Sequence, residues 1–299
     1  MSTPNPFRIG VMGGSGLYDI DGLTDLHEQE LRTPFGSPSD SFIIGRYGDL
    51  HAADGRPVEL VFLPRHGRGH VLNPSEVPYR ANLWGMKKLG VDWIVSISAV
   101  GSLKEEIVPG HMVIVDQFID RTKGVRPVTF FEGGIVGHVA FGDPVCGTLR
   151  QMLVASAHEA GADVHEGGTY VCMERPQFST RAESNLYRSW GAHVIGMTNL
   201  TEAKLAREAE ISYATVAMST DYDCWHEGHD DVTVEAVVAV IHANVSKARG
   251  IIKAVAPRIA AHPGPAPMVG CMQFAIMTAR DRIAADRREA LAPLIGRYL

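Results

Sequence analysis

Two acidic residues, Asp221 and Asp223, follow the apolar run 211–218 after Ser219 and Thr220. The run is typical of a buried strand, and a strand points every second side chain to the same face. The two carboxylates should therefore leave the strand end side by side and face one target. Desolvating a charge is expensive, so two acids beside a buried strand favour a ligand site, although this segment alone is equally compatible with a solvated acidic loop.

A glycine-rich loop, 13–16, follows the first predicted strand and contains Ser15. Without a Cβ the backbone can approach an anion closely, and its N–H groups together with the Ser15 hydroxyl could donate to phosphate. The loop has neither the GxGxxG spacing of dinucleotide-binding proteins nor the GK[ST] ending of a Walker A loop. An NAD-dependent dehydrogenase is therefore a weak alternative, and the loop by itself could also be a plain turn.

A second candidate anion site follows the predicted strand 58–63, where Arg65 and His66 stand beside glycines. The planar guanidinium of arginine binds phosphate oxygens in pairs, and a neighbouring histidine adds a donor. The alternative is a basic surface loop. The position at the carboxyl end of a strand favours the anion site.

Small and hydroxyl-bearing residues end two further apolar runs: Ser98 and Ala99 end one, Met197 and Thr198 end the other. Ligands of open α/β sheets bind outside the carboxyl ends of the strands, so these residues could complete one anion cradle. Each run, considered singly, could also be ordinary core. An anion cradle beside paired carboxylates describes two substrates, namely phosphate and a basic heterocycle that forms hydrogen bonds.

Strands and helices alternate along the chain, which predicts an α/β fold. The predicted strands are 8–12, 42–47, 58–63, 93–99, 112–119, 169–173, 193–197 and 213–218, and the predicted helices are 75–89, 148–160, 180–190, 200–208, 234–255 and 273–292. This order favours a single domain with a mixed, partly barrel-like central sheet flanked by helices. We predict that the domain spans 1–260, and that a linker and helical extension over 261–299 packs on the body or on a neighbouring subunit.

Composition narrows the class of protein. The chain has 299 residues, a net charge of −6 and 45% hydrophobic content, which argues against a general nucleic-acid or membrane-surface binder. No apolar run approaches the ~18 residues of a membrane span, and no secretory signal is recognisable. Four scattered cysteines without a CxxC pair favour reduced thiols and a cytoplasmic location. The histidines show no metal-ligand spacing, so we expect no metal and no cofactor.

Several motifs between about residues 9 and 256 resemble the 5′-methylthioadenosine phosphorylase branch of the trimeric purine nucleoside phosphorylases. They are GGSGLY at 13–18, PRHGRGH at 64–70, NPSEVPYRAN at 73–82, SAVGSL at 98–103, VDQFIDRT at 115–122, PQFSTRAES at 176–184 and STDYDCW at 219–225. The motifs occur in the family's order. The resemblance implies the nucleoside phosphorylase fold and the reversible phosphorolysis of S-methyl-5′-thioadenosine to adenine and S-methyl-5-thio-α-D-ribose 1-phosphate, a pentosyl transfer in purine and methionine salvage.

The same resemblance implies a role for particular residues. The phosphate site would contain Ser15, Arg65, His66, Ser98, Ala99 and Thr198. The nucleoside site would contain Met173, Phe178, Met197, Thr220, Asp221 and Asp223, and the pocket for the 5′-substituent would be shaped by Ser179, Val234 and Val237. His138 would reach the active site of a neighbouring subunit, which implies a homotrimer or a dimer of trimers. Arg175 and Gln177 replace a glycine and an arginine that are common in the family, which predicts a differently shaped ribose-side loop.

Phosphorolysis requires that phosphate attack the anomeric carbon while the purine leaves with growing negative charge. A protein assists by placing phosphate in line and by giving the base a proton. We expect Asp221, with a pKa raised by burial beside a second carboxylate, to donate to purine N7, and Asp223 to accept from the 6-amino group. Adenine offers an acceptor at N7 and a donor at N6, whereas a 6-oxopurine offers two acceptors, so the acidic pair favours adenine. The alternatives are a broader purine nucleoside phosphorylase and a non-catalytic nucleoside sensor.

Overall fold

The structure of the protein is a computed structural model. It describes residues 5–14, 16–17, 20–122, 124–174, 176–226 and 234–299, while the side chains of 234–237, 239 and 241–243 lie outside the description. Within these residues none of the helices has the length and apolar character needed to cross a bilayer.

One mixed β-sheet forms the centre of the molecule. In chain order its strands are β1 (Phe7–Gly13), β2 (Leu23–Gln29), β3 (Phe42–His51), β4 (Pro57–Pro64), β5 (Val91–Ser102), β6 (Met112–Ile114), β7 (Gln117–Arg121), β8 (Val164–Glu166), β9 (Thr169–Met173), β10 (Val194–Gly196) and β11 (Ser212–Asp221). The order β2-β3-β4-β1-β5 leads to a branch point at β5, from which β10-β9-β7 and β11-β6-β8 diverge. The long strand β5 therefore joins the two branches of the sheet.

Four parallel strands, β4, β1, β5 and β11, place their carboxyl ends at one edge. Gly13 at the end of β1 pairs with Pro64 at the end of β4. Across β5, Ser98 pairs with Ala217, and Asp221 pairs with Gly101 after a register shift. Strand β10 runs antiparallel to β5 with Ile195 opposite Gly101, so the chain that follows β10 runs back toward Ser98. The strand ends with candidate site residues therefore meet in one region.

Helices cover both faces of the sheet. They are α1 (Tyr79–Lys88), α2 (Gly147–Glu159), α3 (Arg181–Ser189), α4 (Asn199–Glu208), α5 (Val234–Ala260) and α6 (Ala285–Ile295). Helices α2 and α5 pack on one face around Leu149, Leu153 and Ile251. Helices α1, α4 and α6 pack on the other face around Leu83, Leu205 and Leu291. Each such buried aliphatic side chain contributes about 2 kcal/mol. The predicted mixed α/β fold is confirmed.

The segment after α5 differs from its prediction. A helix over 273–292 is wrong, because α6 spans only Ala285–Ile295. The preceding residues instead pair with a distant loop: the His138 amide donates to the Ala275 carbonyl at 2.8 Å, and the Met277 amide donates to the Val136 carbonyl at 2.9 Å. Backbone groups used in this pairing cannot form helical hydrogen bonds. The segment packs on the body, where the Trp84 indole donates to the Ala290 carbonyl at 2.8 Å.

Three strand predictions also differ from the structure, one of them because the short strand β8 was not predicted. Strand β2 was not predicted, because its side chains are mostly exposed and it lacks the apolar alternation of a half-buried strand. The predicted strand 112–119 is divided into β6 and β7. The division lies at Asp116, whose carboxylate accepts a hydrogen bond from the Gly168 amide at 3.1 Å.

Candidate active site

Arg65 lies just after β4 and is almost fully buried. Its Nε donates to the Glu202 carboxylate at 2.6 Å and its Nη1 donates to the Ile97 carbonyl at 2.7 Å. Its Nη2 donates to the Ser96 hydroxyl and lies within hydrogen-bond distance of the Met12 carbonyl and the second Glu202 oxygen. Since a guanidinium has five N–H donors, at most one N–H of Nη1 is left for a ligand. The bidentate contact expected with phosphate is instead made with Glu202, whose carboxylate balances the charge of Arg65.

His66 is partly buried and its ring orientation is fixed by the loop that follows. Its Nδ1 lies 2.8 Å from the Leu72 carbonyl, to which it donates, and its ring stacks on His70. Burial, with the nearby charge of Arg65, lowers the pKa of His66 to about 4. The neutral ring therefore carries its proton on Nδ1 and presents Nε2 as an acceptor. In the ligand-free protein His66 is thus suited to accept a hydrogen bond, whereas the sequence suggested a donor.

Thr198 directly precedes α4 and is buried. It stands at the N-cap position, yet its hydroxyl makes no capping hydrogen bond, which leaves that hydroxyl for another partner. The first N–H groups of a helix have no intrahelical acceptor and carry partial positive charge, so they attract an anion. Ser98 on β5 is also buried, and its hydroxyl makes a long contact of 3.4 Å with the Ala99 carbonyl. Ser15 lies outside the described residues.

Asp221 ends β11 and its carboxylate is held on both sides. Oδ2 accepts from the Thr220 hydroxyl at 2.7 Å, and Oδ1 accepts from the Asp223 amide at 2.8 Å. The Thr220 hydroxyl also lies 3.1 Å from the Val100 carbonyl. Burial raises the pKa of Asp221, while the bonds from Thr220 and Asp223 oppose the rise because they favour the anion.

Asp223 adopts a left-handed conformation with φ of 51°, which aspartate tolerates better than most residues. Its side chain is buried and Oδ2 has no hydrogen-bond partner within the described chain. Burial raises the pKa of Asp223 to about 6; Asp221 adds to the rise, and the hydroxyls of Ser184 and Ser179 oppose it. Both aspartates thus have raised pKa values, as the sequence suggested, but the larger shift belongs to Asp223.

Gly101 on β5 makes room for the acidic pair. A Cβ at this position would lie 3.0 Å from the Asp221 Oδ1 and 3.3 Å from the Asp223 Cβ. The glycine of the SAVGSL motif therefore permits the two carboxylates to approach the strand closely.

The nucleoside residues predicted from the resemblance lie in neighbouring segments. Ser179 contacts one of them and a neighbour of another: its hydroxyl lies 3.8 Å from the Met173 sulfur, and its carbonyl accepts from the Cys224 thiol, next to Asp223, at 3.2 Å. Phe178 precedes Ser179 and is 49% exposed. A half-exposed aromatic ring at this loop is available to cover a bound ligand.

Arg126 joins the segments that carry the predicted nucleoside residues, at one side of the cleft between the phosphate residues and the acidic pair. It was not predicted from the sequence. The side chain is 3% exposed. Its guanidinium donates to the backbone carbonyls of Met197, Met173 and Glu174. One buried side chain thus joins β9 to the segment that follows β10. Its position in an irregular loop gave no periodic signal, although it lies just after the VDQFIDRT motif.

Three predicted residues are not brought together with the others by the described contacts. His138 is exposed and its amide is bonded to Ala275, and no hydrogen bond in the described part of the chain joins it to the cleft. Val234 and Val237 lie in the first turns of α5, but their side chains are outside the described residues. Arg175 is likewise outside the description, and Gln177 is exposed.

The arrangement combines two chemically different ends. One end has hydroxyls, a helix N-terminus and at most one remaining N–H of Arg65, which suit an oxyanion. The other end has two carboxyls with raised pKa values, one partly buried and one buried, which suit a ligand that presents both an acceptor and a donor. Among the described residues no cluster of histidine, cysteine and carboxylate side chains has the geometry to hold a metal ion.

Comparison with known proteins gives consistent results. The family model of the phosphorylase superfamily matches residues 8–257. The S-methyl-5′-thioadenosine phosphorylase of Geobacter sulfurreducens is 57% identical over 291 residues, which cover 97% of this chain and 99% of the relative. The protein of the same name from Chloroflexus aurantiacus is 55% identical over 290 residues, which cover 97% and 98%.

Solved structures resemble the fold over most of its length. A methylthioadenosine phosphorylase from an Antarctic soil metagenomic library matches with a TM-score of 0.89 and 44% identity, covering 97% of this chain and 99% of that chain. The methylthioadenosine phosphorylase of Schistosoma mansoni in complex with adenine matches with a TM-score of 0.79 and 36% identity, covering 86% and 93%.

Proposed function

This chain belongs to the phosphorylase superfamily, and we propose that it catalyses the reversible phosphorolysis of S-methyl-5′-thioadenosine. The products are adenine and S-methyl-5-thio-α-D-ribose 1-phosphate, and the reaction is a pentosyl transfer of purine and methionine salvage. The observation that carries the proposal is the acidic pair, in which Asp221 is partly buried and Asp223 is buried, at the edge of the sheet that also holds Ser98 and Thr198. The names of relatives at 57% and 55% identity support the same substrate.

In this proposal, phosphate binds between Ser98, the Ala99 amide, Thr198 and the amino end of α4. Ser15 would donate its hydroxyl to phosphate from the glycine-rich loop after β1. Hydroxyl and N–H donors fix the orientation of the phosphate oxygens, and the helix dipole adds attraction for the anion. The neutral His66 would accept a hydrogen bond at Nε2 from the P–O–H group of hydrogen phosphate, so that an unprotonated oxygen is left to attack.

The acidic pair would recognise the base and supply the proton. Adenine needs a donor at N7 and an acceptor at its 6-amino group, so the pair must hold one proton between its two carboxyls. The raised pKa values of Asp221 and Asp223 favour retention of that proton near neutral pH. As the glycosidic bond breaks, negative charge makes N7 more basic and draws the proton from the pair. Met197, Met173 and Phe178 would enclose the ribose and base.

The 5′ end of the substrate would lie toward Ser179 and the first turns of α5, which carry Val234 and Val237. We propose that the enzyme is a homotrimer and that His138 of one subunit approaches this pocket in the next. The exposed position of His138 supports that role. The reaction needs no cofactor beyond phosphate as co-substrate. Four free cysteines favour a reducing compartment, so we place the reaction in the cytoplasm.

A direct test mixes the purified protein with S-methyl-5′-thioadenosine in the presence and absence of phosphate. We expect release of free adenine that depends on phosphate and is accompanied by an equal amount of the sugar phosphate. Adenine release without phosphate would indicate a hydrolase, and the absence of adenine under both conditions would overturn the proposal.

A further inference from the structure

Tyr170 on β9 carries a polar group whose role is not explained by the fold. Its side chain is fully buried, and its hydroxyl has no hydrogen-bond partner among the described residues. A buried hydroxyl without a partner loses its hydrogen bonds to water and gains none in return, so most such groups in native proteins find a partner. The Tyr170 hydroxyl is therefore expected to acquire its partners in another state of the protein.

The surroundings of the hydroxyl point to the phosphate end of the cleft. Burial holds the pKa of Tyr170 well above its usual range, and the nearby Ser98 hydroxyl and Thr198 amide oppose that rise, although neither meets the full geometry of a hydrogen bond to the phenol. The phenol is therefore protonated at every working pH. Ser98 itself is loosely held, since its contact with the Ala99 carbonyl is 3.4 Å long.

The local packing directs the ring to this place. The Tyr170 ring meets the edge of the Phe118 ring, with centroids 5.3 Å apart. Strand β10 runs beside β9 with Gly196 opposite Cys172. A Cβ on Gly196 would overlap the Tyr170 hydroxyl, so the absence of a side chain there opens the space that the hydroxyl occupies. The Tyr170 hydroxyl thus occupies the space left by the missing side chain of Gly196, two residues before Thr198.

We propose that Tyr170 is a positioning residue of the phosphate site. Its hydroxyl accepts from the Thr198 amide and donates to the Ser98 hydroxyl, which then directs its own proton at a phosphate oxygen. A chain of hydrogen bonds with one direction strengthens its terminal donor. This inference rests on the proposed function for the identity of the anion. It predicts that Tyr170 affects the binding of phosphate and not the binding of the nucleoside.

The test compares the wild-type protein with Tyr170→Phe, which removes only the hydroxyl. Loss of one neutral hydrogen bond predicts that KM for phosphate rises about threefold to tenfold, while KM for S-methyl-5′-thioadenosine changes by less than about twofold. Thermal unfolding provides a second readout that does not need turnover. Because the hydroxyl is unpaired in the ligand-free protein, Tyr170→Phe should unfold at the same temperature as the wild type or higher, but inorganic phosphate should raise that temperature less.

Two further variants sharpen the result. Tyr47→Phe removes a hydroxyl that lies 3.3 Å from the Lys253 carbonyl, on the far strand β3, and should leave KM for phosphate unchanged. Ser98→Ala should raise KM for phosphate more than Tyr170→Phe does. The double variant should have the same KM for phosphate as Ser98→Ala alone, because the tyrosine acts through the serine.

Other outcomes contradict the inference. An unchanged KM and an unchanged thermal response to phosphate in Tyr170→Phe would overturn it. So would equal rises in both KM values together with a lower unfolding temperature, since these indicate a purely structural role. If the wild type responds to phosphate but releases no adenine, the proposed function fails while the thermal comparison still decides the role of Tyr170.

Discussion

Asp223→Asn should make the ligand-free protein more stable at alkaline pH. The carboxylate of Asp223 is buried, its Oδ2 has no partner within the described chain, and burial raises its pKa from 3.8 to about 6. The folded state therefore binds this proton more tightly than the unfolded state does. The charged form costs stability, and the cost grows as the pH rises from 3.8 to about 6 and is constant above that. Asparagine has no charge and tolerates the positive φ of this position.

The expected magnitude follows from the size of the shift. A change of about two pKa units corresponds to about 3 kcal/mol, which is an upper bound on the gain in the free energy of unfolding at pH 8. Roughly half of the gain should be present at pH 5 and little of it near pH 4. The same variant should lose most of its phosphorolysis activity with adenine nucleosides, so stability and activity should change in opposite directions.

Urea unfolding at fixed protein concentration, at pH 8 and at pH 4.5, measures the difference in the free energy of unfolding. Asp40→Asn is a control with the opposite sign, because Asp40 accepts hydrogen bonds from Arg68 and has a lowered pKa. That variant should lose stability at pH 8. A free energy of unfolding for Asp223→Asn that is below the wild type at pH 8, or a difference that does not depend on pH, would show that the buried carboxylate costs no stability.

Three other substitutions test the supports of the site. Glu202→Gln should destabilise the protein by about 3 kcal/mol or more, measured by urea unfolding, because it leaves Arg65 buried without its carboxylate; a loss below about 1 kcal/mol would show that the ion pair matters little. Arg126→Lys should raise KM for the nucleoside at least about fivefold in steady-state kinetics, since an ammonium cannot reach three carbonyls in a plane, and an unchanged KM would contradict this role. Gly101→Ala should lower kcat/KM about tenfold or more, because its Cβ would crowd Asp221, and full activity would show that the pair tolerates displacement.

The ends of the site could be predicted from the sequence because each lies at the end of an apolar strand. Asp221 and Ser98 are examples: the pattern of buried residues marks the strand, and the parallel arrangement brings its carboxyl end to the common edge. The raised pKa of the acidic pair also followed from two carboxyls beside a buried strand. Local patterns of this kind need no knowledge of distant contacts.

The residues that hold the site residues in place could not be predicted in the same way. Arg65 is paired with Glu202, which lies 137 residues away, and no local pattern indicates that the guanidinium is already occupied. The neutral state of His66 depends on burial and on the charge of Arg65, which lower its pKa against the opposing effect of the Leu72 carbonyl. The helix expected over 273–292 fails for a similar reason, because Ala275 and Met277 pair with a loop far away in the chain. Long-range contacts decide each of these features.

The most direct measurement compares kcat/KM of the wild-type protein for S-methyl-5′-thioadenosine and for inosine at saturating phosphate. Asp221 and Asp223 together offer one donor and one acceptor, so a 6-oxopurine would leave a buried acceptor opposite its oxygen. We expect a preference for the adenine nucleoside of at least about a hundredfold. Equal or better use of inosine would contradict the claim that the acidic pair reads the 6-amino group.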